Sequence, residues 1–437
     1  MYDSGHIVRI RLPDGKRREY AFPAGVMRDQ FLSQIEGMKH LDASGTHGWG
    51  DRSKRGKLAN LQPLMPLTGL TSVDLSWCDT LSDLAPLASL TQLKVLSLDG
   101  CEALTSLEGL QALECLETLR LGGAEGLKEL SELAPLSTLK DLRLWGLNGV
   151  QDLSPLASLL HLKTLTLTKC GGLPRVDALS SMTDLKELDL SGCSALEDVS
   201  GLATLSRLEK LDLSGCRALQ SLKPLEGLER LPRLDIYKCK ALEDLDGLQS
   251  LRQLRHLEAW GCDALTDISA LSDLENLTEL NLSMCERLAD LSPLSNLSSL
   301  ETLDISDCPE LVDPSRWGPL ATLPALRSLE GSFPSAFKVG LFASAAGGRQ
   351  DQEFIAKHLS DWLSVAQAHP TSVGLLSAVG RAAGCLEGQS AGVEALGSLT
   401  VLAAHHDVRD VDQLFEVVCA HSKDALIHQV LQDTIEQ

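Results

Sequence analysis

A leucine returns every 23 residues along most of this chain. Leu70, Leu93, Leu116, Leu139, Leu162, Leu185, Leu208, Leu231, Leu254, Leu277 and Leu300 each open a unit, and no step between them carries an insertion. In the unit that starts at Leu185, apolar residues fall at offsets 0, 3, 5, 8, 11, 14, 17 and 20. Positions kept in register through so many units point to one kind of molecule. It is a stack in which each unit buries its apolar face only against its neighbours.

The spacing also sets the local structure. Leu188-Asp189-Leu190 alternates as a strand does, leucines inward and aspartate outward. Beyond offset 5 the apolar step becomes three, which suits a turn followed by a 3₁₀-like segment. Proline recurs at offset 16 in Pro86, Pro155, Pro224 and Pro293, with Pro135 in the same half of its unit. Proline fits a first helical turn and not a central strand. Each unit therefore reads as strand, turn, short helical segment and return.

The ends depart from this pattern. Met38, Leu41 and Ala43 occupy offsets 0, 3 and 5 of a first unit, and a basic, glycine-rich insertion over 45–57 predicts a loop before Leu70. After Leu300 the step lengthens to 26, and Leu326 and Leu329 begin a degraded last coil. The solenoid thus covers 38–333, about 12 repeats. Before it, His6–Leu12 and Lys16–Phe22 flank Pro13-Asp14-Gly15, a hairpin signal. With a short helix over 25–36, residues 1–37 form an expected N-terminal cap. Residues 334–349 read as a linker. Residues 350–437 read as an α-helical C-terminal domain, with Phe354, Ile355, Leu359, Trp362 and Leu363 on one helical face.

The motif L-x-x-L-x-L-x-x-C-x-x-L, as in Leu208-Glu-Lys-Leu211-Asp-Leu213-Ser-Gly-Cys216-Arg-Ala-Leu219, resembles the leucine-rich-repeat family. It is similar to the short internalin-like and SDS22-like class, and the regular unit points to a bacterial source. The resemblance covers about residues 38–333 and implies an α/β solenoid. Its shape would be a horseshoe or arc with a concave parallel β-sheet, used for protein recognition.

Nine of the twelve cysteines stand at offset 8: Cys78, Cys101, Cys170, Cys193, Cys216, Cys239, Cys262, Cys285 and Cys308. The family often places asparagine there. Identical positions in successive coils point the same way, which is poor geometry for a bridge. With no C-x-x-C in the chain, the cysteines read as reduced structural thiols in a cytoplasmic, reducing compartment. Ala124 and Leu147 interrupt the ladder.

Charge narrows the partner. The chain carries 39 Lys and Arg against 60 Asp and Glu, net −21, of which −18 lies in 70–340. This argues against general nucleic-acid or anionic-membrane binding. No apolar run reaches the length of a membrane span, about 18 residues. The N-terminus lacks the basic-then-apolar pattern of a secretory signal.

Offsets 2, 4 and 6 project from the expected concave sheet. Offset 4 stacks Asp189, Asp212, Asp235 and Glu258 in consecutive units, where like charges repel. A cationic ligand would relieve that repulsion; a solvated acidic face is the plainer reading. Lys210 and Arg233 offset part of the charge. Offset 6 is mostly small and polar, apart from Trp145, Tyr237 and Trp260. Two contact regions are expected: a basic-aromatic one of Arg120, Arg143 and Trp145, and an acidic-aromatic one of Tyr237, His256, Glu258 and Trp260.

No phosphate-binding loop, H-E-x-x-H or G-x-S-x-G occurs, and the repeated carboxylates carry no catalytic weight. No catalytic residue, metal site or cofactor is expected. The leading expectation is a non-catalytic scaffold for a protein partner; its narrower form is an acidic inhibitor, immunity-like or regulatory subunit for a basic protein. The alternative is an effector or enzyme acting through 350–437, where Cys385 and Cys419 are the candidate nucleophiles. Bacterial effectors that fuse leucine-rich repeats to a ubiquitin ligase use a catalytic cysteine. Their ligase portion is far larger than this segment, so that resemblance stops at the repeats.

Overall fold

The computed structural model describes residues 6–11, 17–22, 39–43, 59–311, 319–320, 323 and 325–331. The expected helix over 25–36, the insertion over 45–57, the linker and the C-terminal domain lie outside them. The chain divides into two compact units, Met1–Cys239 and Lys240–Gln437.

In the first unit, β1 (His6–Arg11) and β2 (Arg17–Phe22) pair antiparallel, and β1 also pairs antiparallel with β3 (His40–Asp42). From β3 onward every pairing is parallel and follows chain order. The strands are β4 (Ser72–Asp74), β5 (Val95–Asp99), β6 (Thr118–Gly122), β7 (Asp141–Trp145) and β8 (Thr164–Thr168). Then come β9 (Glu187–Asp189), β10 (Lys210–Asp212) and β11 (Arg233–Asp235). In the second unit β12 (His256–Glu258), β13 (Glu279–Asn281), β14 (Thr302–Asp304) and β15 (Ser328–Glu330) pair parallel in the same way.

The constant repeat length produces this ladder. Equal steps put equal offsets side by side, so Leu188, Leu211 and Leu234 are register partners. Leu211 and Leu213 are fully buried, while Asp212 between them faces outward and is half-buried. The later step of three is a hydrogen-bond step. Leu87, Leu90 and Leu93 each donate their N–H to the leucine three residues before, at 2.8–2.9 Å. The segments Ala85–Ser89, Ser154–Ser158, Lys223–Gly227 and Ser292–Asn296 are 3₁₀ turns with proline second, where its missing N–H costs nothing. Pro135 falls just after its 3₁₀ turn, Ser131–Leu133, not within it.

The offset-8 cysteines are buried and free of disulfides. The thiols of Cys78, Cys101, Cys193, Cys216, Cys239, Cys285 and Cys308 donate backward to the offset-5 carbonyl of the preceding coil, whereas Cys170 reaches Thr168 of its own coil. Examples are Cys193 to Leu167 at 3.0 Å, Cys216 to Leu190 at 3.3 Å and Cys308 to Leu282 at 3.2 Å. Each of these seven thiols thus ties two coils together. Burial pushes Cys170 up to about 11 and Cys193 up to about 12. These thiols are therefore expected to resist iodoacetamide in the folded protein and to react once guanidinium opens it. Among the cysteines of the described residues, half-exposed Cys115 should label first. Peptide mass spectrometry reads the pattern, and native labelling at Cys216 would mean that its coil opens.

Candidate partner-binding face

The acids of the open face are first of all structural. Asp74, Asp189, Asp212 and Asp304 each accept the backbone N–H two residues on, at 2.9 Å. Asn281 does the same for Ser283 at 3.0 Å. These side-chain-to-backbone bonds close the turn at each strand end. A second tier at offset 13, Asp83, Asp152, Asp198, Asp267 and Asp290, braces the N–H that opens the 3₁₀ turn, at 2.8–2.9 Å. The hydroxyls and N–H groups of Ser154 and Ser200 hold Asp152 and Asp198 below the usual carboxylate range. Much of the acidity thus serves local turns.

Register brings Asp189, Asp212 and Asp235 into one row. Asp235 is buried and gripped by Arg233 of its own strand, with Nη2 3.1 Å from Oδ1 and Nε 3.2 Å from Oδ2. Burial raises the Asp212 pKa; the Ser214 bonds pull it down, and repulsion from Asp189 and Asp235 adds to the rise. A carboxyl raised by folding favours the native state fully below its unfolded pKa, and that benefit is lost as pH rises through the folded value. Asp212→Asn is therefore expected to raise the melting temperature at pH 7, because asparagine keeps the brace, as Asn281 does, without the charge. The gain should vanish near pH 3. A lower melting temperature at pH 7 would contradict this reading of the row.

The basic-aromatic region is more closely built than the alternation implied. Trp145 Nε1 donates to Asp99 Oδ1 at 2.8 Å, and its ring lies over the backbone of Gly122 and Gly123. A Cβ on Gly122 would stand 2.0 Å from Trp145 Nε1. Trp77 lies in the same way on Gly100, and the two indole centroids are 6.2 Å apart with planes tilted by 42°. Gly100 in one intervening coil and Gly122 and Gly123 in the next leave the floor on which both rings rest. Burial raises the Asp99 pKa, while the Trp145 N–H and then Arg120 draw it down. Arg120 and Arg143 are register neighbours and both exposed. Arg143 chelates Asp141 at 3.0 and 3.2 Å, so of the two only Arg120 has neither a hydrogen bond nor an ion pair among the described residues.

Trp77 and Asp99 were not among the expected site residues, though the sequence carried a signal. Offset 7 takes positive φ in every unit from Leu70 to Leu300, and glycine fills it at Gly100, Gly123, Gly146, Gly192, Gly215 and Gly261. Trp77 adopts φ 65° there, where a bulky side chain is an outlier.

The acidic-aromatic set is divided. Half-buried Tyr237 belongs to the first unit, whereas His256, Glu258 and Trp260 belong to the second. His256 Nδ1 lies 2.9 Å from Glu279 Oε2, an ion pair when the imidazole is protonated. Glu258 accepts from Asn281 Nδ2 at 3.0 Å. Trp260 is half-buried beyond the strand end, and the small Ala259 beside it is fully buried.

Among the described residues, no group of three His, Cys, Asp or Glu side chains could hold a metal ion. No described helix is long and apolar enough to cross a membrane.

Stacked parallel coils with 3₁₀ returns and an outward face of polar and aromatic residues define a repeat protein of the recognition type. The chain belongs to the leucine-rich-repeat family: the model of a leucine-rich repeat region matches residues 70–345. Among solved structures, it is similar to an internalin (inlF) of Listeria monocytogenes, with 26% identity and a TM-score of 0.56 over 69% of this chain and 84% of that one. An internalin C2 of the same organism shares 29% identity over 56% of this chain and 92% of its own, with a TM-score of 0.36. The functional domain of InlJ from Listeria monocytogenes, which includes a cysteine ladder, shares 17% identity over 72% of each chain, with a TM-score of 0.43. No curated protein matches.

Proposed function

We propose that this chain is a non-catalytic recognition scaffold that captures a partner protein on the open face of its sheet, with the Trp77–Trp145 shelf and Arg120 as the anchor. One observation carries the reading. Two tryptophans are held ready on a glycine floor beside an exposed arginine that makes neither a hydrogen bond nor an ion pair among the described residues. Tryptophan and arginine dominate interface energetics, and rings already fixed lose little freedom on binding. The family and the internalin likeness support a protein-interaction role.

The acid excess lends only part support to the narrower form, an inhibitor or regulatory subunit covering a basic protein, because so many carboxylates brace turns. Steep loss of association rate with added salt is its test. We also infer a reducing compartment, supported by the ladder of free thiols. The thiol state of the protein taken from its host tests this.

Co-purification of the tagged full chain from its host tests the scaffold reading. The wild type should retain a partner that Trp145→Ala loses by about tenfold or more, with far-UV circular dichroism unchanged. Equal retention by the variant would remove the face from consideration.

A further inference from the structure

On the face of the first unit the two outward arginines and the acid row stand apart: Arg120 and Arg143 share one side with the half-buried Asp99 and with Asp141, and the acid row lies further along. Arg120 stands at one side on β6, exposed and without a hydrogen bond or ion pair among the described residues. Beside it Arg143 is already engaged with Asp141. The next strand, β8, presents only Thr164, Thr166 and Thr168. Beyond it come Glu187 and Asp189 on β9 and Asp212 on β10. Glu187 is exposed and has no ion pair among the described residues. Lys210, the register partner of Glu187, compensates one of these three acids.

Register fixes the spacing. Arg120, Arg143, Thr166, Asp189 and Asp212 form one row across five adjacent strands. At about 4.8 Å per strand, the row from Arg120 to Asp212 spans about 19 Å. An extended chain rises about 3.3 Å per residue, so about six residues cross it.

We propose that this face binds an extended segment of a partner protein whose own charge is divided, with an acidic residue over Arg120 and a basic residue about six positions away over Asp189 and Asp212. The inference rests on the scaffold reading and adds the chemistry of what is captured. The acidic end of the segment adds a direct ion pair to Arg120, whose charge the half-buried Asp99 already feels, and adjacent apolar atoms cover the Trp77–Trp145 shelf. The basic end relieves the repulsion along the acid row. Selectivity comes as much from refusal as from attraction. A uniformly basic segment sets a cation on Arg120, and a uniformly acidic one meets Glu187 and Asp189. The threonine strand between them carries no charge to oppose a segment that crosses it.

Synthetic peptides bound to the full-length protein test this. The divided probe carries two glutamates and two lysines separated by about four Gly or Ser residues, made in both chain directions. The comparison probes are all-lysine, all-glutamate, and the same four charges interleaved. The divided probe in one direction should bind roughly tenfold tighter than any comparison probe. Arg120→Glu and the double variant Asp189→Asn/Asp212→Asn should each abolish that preference. Asparagine keeps the turn brace, as Asn281 does, so the double variant remains folded. If the all-lysine or interleaved probe binds as well as the divided one, if neither variant changes the order, or if no probe binds, the inference is overturned. The scaffold reading falls separately, when Trp145→Ala still retains the natural partner.

Discussion

Leu211→Ala is expected to destabilise the protein by about 2–5 kcal/mol. Leu211 is fully buried and stands between Leu188 and Leu234 in the register of β9, β10 and β11. Truncation loses the transfer free energy of its atoms and leaves a cavity that two stacked leucines cannot both close. Because each coil is buried by its neighbours alone, the damage should be local. Hydrogen exchange should show lost protection in β9–β11 while β5 and β6 keep theirs, and a guanidinium melt should develop an early step. Leu211→Met preserves volume and should cost less than about 1.5 kcal/mol. A uniform loss of protection along the chain would mean that the coils unfold as one body.

The second large effect is expected from Gly122→Ala. Gly122 sits on β6 with ordinary strand geometry, so the backbone itself accepts alanine. The obstacle is the Trp145 ring, whose Nε1 would lie 2.0 Å from the new Cβ. The ring must leave its floor, and with it goes the 2.8 Å bond to Asp99. That leaves Asp99 half-buried without its indole donor. Such overpacking costs about 1–3 kcal/mol. Near-UV circular dichroism should lose the Trp77–Trp145 signal and tryptophan emission should shift to the red. Partner capture should fall to the level of Trp145→Ala. Unchanged spectra would mean that the indole does not occupy this floor in solution.

The repeat was legible because its cause is local and recurs. Leu188 and Leu190 point inward wherever a strand alternates, and the step of three that follows is a 3₁₀ hydrogen-bond step. Equal unit length then fixes which residues become register partners, so Arg120 beside Arg143 and Asp189 beside Asp212 could be read from offsets alone. The cysteine ladder could be read as buried thiols for the same reason. Its hydrogen bonds could not, since the acceptor of Cys216 is Leu190 of the preceding coil.

The candidate site was legible only in part. Arg120, Arg143 and Trp145 leave their strands outward as the alternation implied, but their engagements depend on rotamers. Arg143 turned to Asp141 of its own strand, while Trp145 reached two coils back to Asp99 and three back to Trp77. The turn-bracing role of the acid row was not legible, because alternation reports which way a side chain leaves the backbone and says nothing of a bond back to it. Asp212 leaves the sheet and still closes on Ser214.

The sequence by itself determined the stacked coils, the inward leucines and the identity of each outward row, because a constant period converts position into register. Only the tertiary structure decided which of those outward groups remain available to another molecule. Availability depends on what neighbouring coils offer a side chain: a glycine floor for Trp145, a carboxylate for Arg143, and for Arg120 no hydrogen-bond or ion-pair partner among the described residues.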